Sequence, residues 1–230
     1  MNNKLTYQLI KHEFVDFFKQ PPLWMLVVLP VVMSKVIIGL MDGVDQELML
    51  LPSWIIFAQV MVGLLIIAPG FIEEKEHKTL DALLISPLSL RQIIFAKCFV
   101  VLVFSLISQM FVYMVNFGIT MELLTLVPMM IIGGGLFVLI GLLVGLTMNS
   151  SKTSSAVSSI IMVVLFMTAS FYQQFPTWED IVQFVPSVTV AENIQASLNS
   201  AIVGFDLLML IVWIALLTIT VHFLVKRETA

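Results

Sequence analysis

Residues 53–72 read "SWIIFAQVMVGLLIIAPGFI", a run of 20 residues without a charged side chain. The hydrocarbon layer of a bilayer is about 30 Å thick, and a helix needs about 20 apolar residues to cross it. The run is therefore predicted to be a membrane-spanning helix. It is followed at once by "EEKEHKTLDALLISPLSLRQIIFAK" (73–97), a window in which the chain concentrates charge that it avoids elsewhere.

The whole chain shares this apolar character. Its composition is 60% hydrophobic and 11% charged, and its mean hydropathy is +1.06. A soluble globule of 230 residues has no interior large enough to hide so much apolar surface. We therefore predict an all-α membrane protein in which residues 1–230 form a single transmembrane domain with six spans. The predicted spans are 23–41, 53–72, 93–119, 122–148, 155–173 and 205–225.

Lysine and arginine set the orientation of the spans, because cytoplasmic loops are enriched in them. With six spans, ten of the 11 basic residues fall on one side of the membrane, and only Lys35 lies within a span. The loops on the other side include residues 41–50 and 174–204, which carry acidic residues and no lysine or arginine. Both termini are therefore predicted to be cytoplasmic.

Residues 4–19, ahead of the first span, have the pattern of an amphipathic helix. At 100° per residue, one arc of about 100° holds the apolar side chains while the polar ones face away from it. The sequence predicts that this helix lies along the inner membrane surface and ends at Pro21-Pro22. The residues of the apolar arc are Tyr7, Ile10, Phe14, Phe17 and Phe18.

The charged window itself predicts a helix, a break and a second helix. The first helix covers residues 72–85, and Ser86 and Pro87 have the pattern of an N-cap followed by a first-turn proline, so the second helix runs into the third span. On the first helix we expect Glu74 to lie on the solvated face and Glu76 to project from the apolar one. An ionised carboxylate on an apolar face favours contact with a partner that offers a cation.

The window resembles the cytoplasmic signature of type-2 ABC transporter permeases. That signature has an acidic E-x-E, a T-L pair, a short apolar step, S-P-L, and a lysine that opens the next span. The matching residues here are Glu74, Glu76, Thr79, Leu80, Ser86, Pro87, Leu88 and Lys97. The amphipathic N-terminal helix, the six-span layout and the glycine-dotted fourth span also fit, and residues 174–204 resemble the family's pair of short re-entrant helices before the last span.

The resemblance implies a role for the window as a coupling helix, placed within residues 72–92 and seated on a separate ATP-binding subunit. It also implies an exporter of the prokaryotic plasma membrane, in which this chain pairs with a second permease copy or a paralogue amid membrane lipid. ATP would be bound and hydrolysed by the partner, so this chain would be no enzyme and hold no cofactor. The residues expected to dock on the ATP-binding subunit are Glu73, Glu76, Thr79, Leu80, Leu83, Leu84, Ser86 and Pro87.

No other motif indicates chemistry, and nothing points to a nucleic-acid partner. Residues 145–155, "GLTMNSSKTSS", lack the second glycine and the preceding strand of a phosphate-binding loop. The three histidines are scattered without metal-ligand spacing, and no constellation of residues suggests catalysis. Lys35 has two interpretations: its long side chain reaches the outer surface, or it faces the substrate path.

Two other classes of function remain open from the residues alone. A self-sufficient channel or secondary transporter is disfavoured because the two halves show no repeat and the spans lack acidic residues that could relay protons or bind sodium. A scaffold that assembles other membrane proteins is the third class.

Overall fold

The chain is all-helical in the computed structural model, which describes residues 3–40, 44–77, 88–174, 179–199 and 204–228. These ranges contain no β-strand. The helices are α1 (Asn3–Lys19), α2 (Pro21–Ile38), α3 (Val44–Glu76), α4 (Leu90–Phe117), α5 (Met121–Thr147), α6 (Ser151–Phe171), a 3-10 turn (Tyr172–Gln174), α7 (Glu179–Val182), α8 (Pro186–Leu198) and α9 (Gly204–Glu228).

Six of the helices, α2 to α6 and α9, are long and apolar enough to cross a membrane. The prediction of an all-α protein with six spanning helices is therefore confirmed. Helix α3 is longer than its predicted span: it has 33 residues and a length of about 50 Å. Residues 44–50, predicted to belong to an outer loop, are helical and form its first turns, and their position on the outer side stays a prediction.

Helix α3 is the central helix of the bundle. It packs against α2, α4, α5 and α6, and the side chains of Ile55, Ala58 and Val62 are completely inaccessible. In helices α2, α6 and α9, by contrast, only 22% of the residues of the apolar window are buried. The residues that follow α3 in the sequence are therefore joined directly to the central helix of the bundle.

Small residues let α3 and α5 approach closely. A Cβ atom added to Gly141 would lie 2.5 Å from the carbonyl oxygen of Gly63, and one added to Gly63 would lie 3.0 Å from the backbone of Phe137. Without hydrophobic driving force between helices in lipid, such backbone proximity is a main source of packing energy. The glycines therefore fix the depth at which α5 seats on the central helix.

A polar contact joins α3 to α4 inside the bundle. The side-chain amide of Gln59 donates to Gln109 Oε1 at 2.8 Å, and Gln109 Nε2 donates to Ser105 Oγ at 3.1 Å. All three residues are completely buried. The Gln59–Gln109 bond links the two helices at this depth, and the bond to Ser105, within α4, holds the Gln109 side chain in place.

The region predicted to be re-entrant contains two short helices, α7 and α8. Helix α8 begins at Pro186 and packs against α3, α5, α6 and α9, with Val188 and Ile194 fully buried. Residues 175–178 and 200–203, which belong to the same predicted region, lie outside the described part of the chain.

Candidate functional site

Residues 73–76 of the charged window form the last turn of α3. Helix α3 continues without a break to Glu76, and Ile72 is 1% exposed within the bundle. The helix predicted over residues 72–85 is therefore, over residues 72–76, a direct continuation of α3, and residues 78–85 lie outside the described part of the chain. Pro69 and Gly70 lie inside this helix and do not end it, since neighbouring helices at membrane depth support the backbone around such residues.

Lys97 of α4 is the centre of an ion-pair cluster at this end of α3. Its ammonium group lies 2.9 and 3.0 Å from the two carboxylate oxygens of Glu13 and also contacts Glu74. The three side chains are only 13%, 18% and 25% exposed, in the order Lys97, Glu13 and Glu74. The cluster joins α1, α3 and α4 through a single cation.

This arrangement corrects the expected position of Glu74. We predicted Glu74 on the solvated face, whereas its carboxylate points towards α1 and α4 and is three-quarters covered. Residues 73–76 are helical, as the periodicity of the window predicts, but a periodicity does not show which neighbours surround a helix. Here α1 covers the side that the sequence pattern left to water.

Helix α1 holds Glu13 in place because it packs along α4. Thr6, Leu9, Glu13 and Phe17 follow one another at intervals of three or four residues and therefore form one stripe. The Phe17 ring stacks on Phe104 with 3.6 Å between centroids, and Thr6 Oγ1 accepts a hydrogen bond from Gln92 at 3.0 Å. Both ends of the stripe are thus fixed to α4.

The buried stripe of α1 is rotated from the predicted apolar arc. Of the arc, Phe17 is buried, whereas Tyr7 and Phe18 are 69% and 59% exposed. The prediction that α1 lies along the inner membrane surface stays a prediction. The exposed Tyr7 and Phe18 are the side chains through which it would contact lipid.

Glu76 points the other way, towards α6. Its Oε1 accepts a hydrogen bond from the backbone N–H of Ser151 at 3.0 Å, and its Oε2 accepts one from the Ser151 hydroxyl at 2.8 Å. Ser151 is the first residue of α6, whose N-terminus carries free N–H donors and a partial positive charge. The Ser150 hydroxyl satisfies a second donor, the N–H of Thr153, at 3.2 Å.

The second helix predicted in the charged window begins later than predicted. Helix α4 starts at Leu90, with Ser89 as its N-cap and Gln92 completing a capping box; the Ser89 N–H donates to Gln92 Oε1 at 3.0 Å. The prediction that Ser86 and Pro87 open this helix is therefore wrong, because a second serine with a glutamine three residues later provides the reciprocal cap.

The structure leaves most of the predicted docking residues untested. Glu73 and Glu76 lie at the end of α3 and are exposed. The others fall within residues 78–87, outside the described part of the chain, and their docking role stays a prediction. These residues are Thr79, Leu80, Leu83, Leu84, Ser86 and Pro87.

Lys35 lies three residues before the end of α2 and is exposed. Its carbonyl oxygen accepts a hydrogen bond from the N–H of Gly39 at 3.0 Å, which closes the last turn. The position of Lys35 near a helix end is the one from which a long side chain reaches the membrane surface.

Sequence reasoning missed Glu13 and Ser151. Glu13 lies four residues from both Leu9 and Phe17, which places it on a stripe of buried residues, and this spacing was readable in the sequence. Ser151 follows an N-cap serine, but no local pattern indicates that Glu76 supplies the acceptor for its N–H. That contact joins residues 75 positions apart.

Comparison with known proteins places the chain in a group of transporters. The family model described as "ABC-2 family transporter protein" matches residues 41–223, more than half of the chain. The match runs from just before α3 into the end of α9 and includes Glu74, Glu76 and Lys97. No match was found among curated proteins.

Proposed function

Because this chain belongs to the ABC-2 family of transporter proteins, we propose that it is the permease subunit of an ATP-driven exporter. Two permease chains, identical or paralogous, form a substrate path between them, and two ATP-binding subunits sit on the cytoplasmic side. Closure of the ATP-binding subunits favours one of two permease states, so that the energy of ATP binding shifts their populations. Export is the direction that the resemblance to type-2 permeases implies.

The observation that carries this proposal is the attachment of the end of α3 to three other helices. Glu74 contacts Lys97 of α4, Lys97 contacts Glu13 of α1, and Glu76 contacts the first residue of α6. A movement of the end of α3 is thus transmitted through these contacts to α1, α4 and α6. A coupling element between an ATP-binding subunit and a bundle of spans needs this property.

The docking surface in this proposal is the segment at residues 78–87, together with Glu73. Glu73 is exposed and carries a negative charge that a cation of the ATP-binding subunit can meet. The leucines of the segment, at positions 80, 83 and 84, provide the apolar part of the contact. Glu76 contributes by holding α6, and its predicted pairing with a partner cation is tested below.

A second copy of the permease is supported by the outward face of α6. Ser155 and Ser159 are exposed there, and each hydroxyl donates to the backbone carbonyl four residues earlier, at 2.9 and 2.8 Å. Small residues of this kind let two helices approach closely at membrane depth.

The orientation of the chain is a further part of the proposal. The distribution of lysine and arginine supports cytoplasmic termini, and the exposed position of Lys35 supports its reaching the outer surface.

Co-purification with an ATP-binding subunit tests the proposal. The permease is co-expressed with candidate ATP-binding subunits from the same genome, purified through a tag on the permease and reconstituted in nanodiscs, and ATP hydrolysis is measured. We expect the complex to form and Glu73→Arg and Leu83→Asp to weaken it. Met121→Arg is the control, since it adds the same cation at the opposite end of the bundle, where Met121 is 82% exposed.

A permease that retains no ATP-binding subunit contradicts the proposal. So does transport by the permease alone when it is driven by an ion gradient in vesicles, which is the result expected for a secondary transporter. A complex that forms equally well with all three variants removes the docking surface from the proposal and leaves the subunit assignment in place.

A further inference from the structure

A cavity of about 650 Å³ lies between α1, the start of α2, the second half of α3 and α4. This volume is within the range of small-molecule sites, about 300–1,000 Å³. Along α3 its wall extends from Leu65 to His77, about 18 Å at 1.5 Å per residue. The cavity therefore covers about half of the hydrocarbon thickness and reaches the predicted cytoplasmic surface.

One end of the cavity is negatively charged. Four carboxylates line it, those of Glu13, Asp16, Glu73 and Glu74, together with the ammonium group of Lys97 and the imidazoles of His12 and His77. Asp16 contacts His12 Nδ1 at 2.8 Å and Lys19 Nζ at 3.8 Å, and these two partners are 71% and 70% exposed, so a ligand cation can replace them. Lys97 is already shared by Glu13 and Glu74. Asp16 and Glu73 lie on facing helices, α1 and α3, so a ligand between them meets negative charge from both sides.

The other end of the cavity is apolar. Its wall is formed by Leu65 and Ile66 of α3, by Val100 and Val101 of α4 and by Phe17 of α1, whose ring stacks on Phe104. A chain of methylene groups placed there is removed from water at about 25 cal/mol per Å² of apolar surface.

Gly70 leaves open space in the wall of the cavity. It lines the cavity, and a Cβ atom added to it would meet no atom within 4 Å. The open position at Gly70 enlarges the cavity in the middle of its length.

We propose that this cavity binds a cationic amphiphile, a molecule with one positively charged headgroup and an alkyl chain. The headgroup lies between Asp16 and Glu73, and the chain runs past Gly70 along the apolar wall. Opposite charges attract more strongly at this partly covered site than in bulk water. Anionic amphiphiles of the same length are repelled by the same carboxylates. The site belongs to the permease chain and needs no ATP-binding subunit.

Direct binding to the permease alone tests this proposal. The purified chain is placed in nanodiscs of phosphatidylcholine, and binding of radiolabelled tetradecyltrimethylammonium is measured by scintillation proximity after subtraction of empty nanodiscs. We expect saturable binding that unlabelled tetradecyl sulfate does not displace. The double variant Asp16→Asn/Glu73→Gln weakens binding by at least about tenfold. Glu76→Gln, which neutralises one carboxylate at the same end of α3 outside the cavity, leaves binding unchanged.

A steric pair provides a second readout. Gly70→Leu fills the cavity from its wall and is expected to abolish binding, and leucine suits a helix better than glycine does. Gly135→Leu is the control, because a Cβ at Gly135 also meets no atom within 4 Å and Gly135 lies in α5, away from the cavity. Binding that is not saturable, that tetradecyl sulfate displaces equally, or that Gly70→Leu leaves intact overturns the proposal.

Discussion

Glu74 and Glu76 lie two residues apart in the last turn of α3, and their carboxylates are held by opposite sides of the bundle. Glu74 contacts Lys97 of α4, and Glu76 contacts the backbone N–H and the hydroxyl of Ser151 in α6. Two positions along a helix differ by about 200°, so an E-x-E sequence directs its two carboxylates in nearly opposite directions. The spacing thus lets one turn of α3 hold two neighbours at once.

The pair of Glu74 and Lys97 is expected to stabilise the bundle. Replacing Glu74 by glutamine removes one of two carboxylates from a cation whose side chain is 13% exposed. Hydrogen bonds to charged groups contribute about 1.5–3 kcal/mol, so we expect a loss of that size in the free energy of unfolding. The measurement is denaturant unfolding in mixed micelles.

A double-mutant cycle separates the pair from other effects of substitution. Lys97→Met alone leaves Glu13 and Glu74 close together without their cation and is expected to cost more than Glu74→Gln. The double variant Glu74→Gln/Lys97→Met is expected to lose less than the sum of the two, with a coupling energy of about 0.5–3 kcal/mol. Strict additivity contradicts a direct contribution of this pair.

The approach of α5 to α3 gives a second prediction. Gly141→Ala places a methyl group 2.5 Å from the carbonyl oxygen of Gly63, so the helices must separate. Overpacking typically costs about 1–3 kcal/mol, and we expect a lower thermal unfolding midpoint in detergent. Gly135→Ala is the matched control, because the added methyl group meets no neighbour and alanine favours the helix. Equal midpoints for the two variants contradict the close contact.

The spans were predictable because each is a local property of the sequence. A stretch such as residues 53–72 needs only its own length and composition to be recognised, and the bounds of α3 differ from it mainly because charged turns extend a helix beyond the membrane. The error at Glu74 has another cause. Its environment is made by Lys97 and Glu13, which are 23 and 61 positions away, and a helical period does not indicate such partners.

The start of α4 shows how two local signals compete. Ser86 followed by Pro87 and Ser89 followed by Gln92 are both N-terminal patterns, and they lie three residues apart. The second pattern satisfies two backbone donors reciprocally, whereas the first satisfies one and removes another. The sequence contained the better signal, and counting the satisfied donors identifies it.

Lys35 provides a prediction about transport. Because it is exposed and three residues from the end of α2, we expect Lys35→Gln to leave the transport rate nearly unchanged, since an amide also reaches the polar surface. The measurement is transport in vesicles at matched expression. A large loss of transport in Lys35→Gln, together with normal rates in Lys35→Arg, indicates instead that a cation at this position faces the substrate path.

The contact between Glu76 and Ser151 separates two roles for Glu76. If Glu76 acts by holding α6, removing its partner should have the same effect as removing Glu76. Ser151→Pro does this, because proline has neither the N–H nor the hydroxyl that Glu76 accepts from. Proline is well tolerated here, since Ser151 is the first residue of α6 and the preceding Ser150 has the extended backbone that proline favours.

We therefore expect Ser151→Pro and Glu76→Ala to reduce the ATP hydrolysis stimulated by substrate to a similar extent, while both still co-purify with the ATP-binding subunit. Thr153→Ala is the control, because it leaves the Thr153 N–H that Ser150 caps and does not alter the contact with Glu76. If Glu76 instead pairs with a cation of the ATP-binding subunit, Glu76→Ala weakens co-purification whereas Ser151→Pro does not. The two outcomes differ in a single pull-down, and the second returns Glu76 to the docking surface.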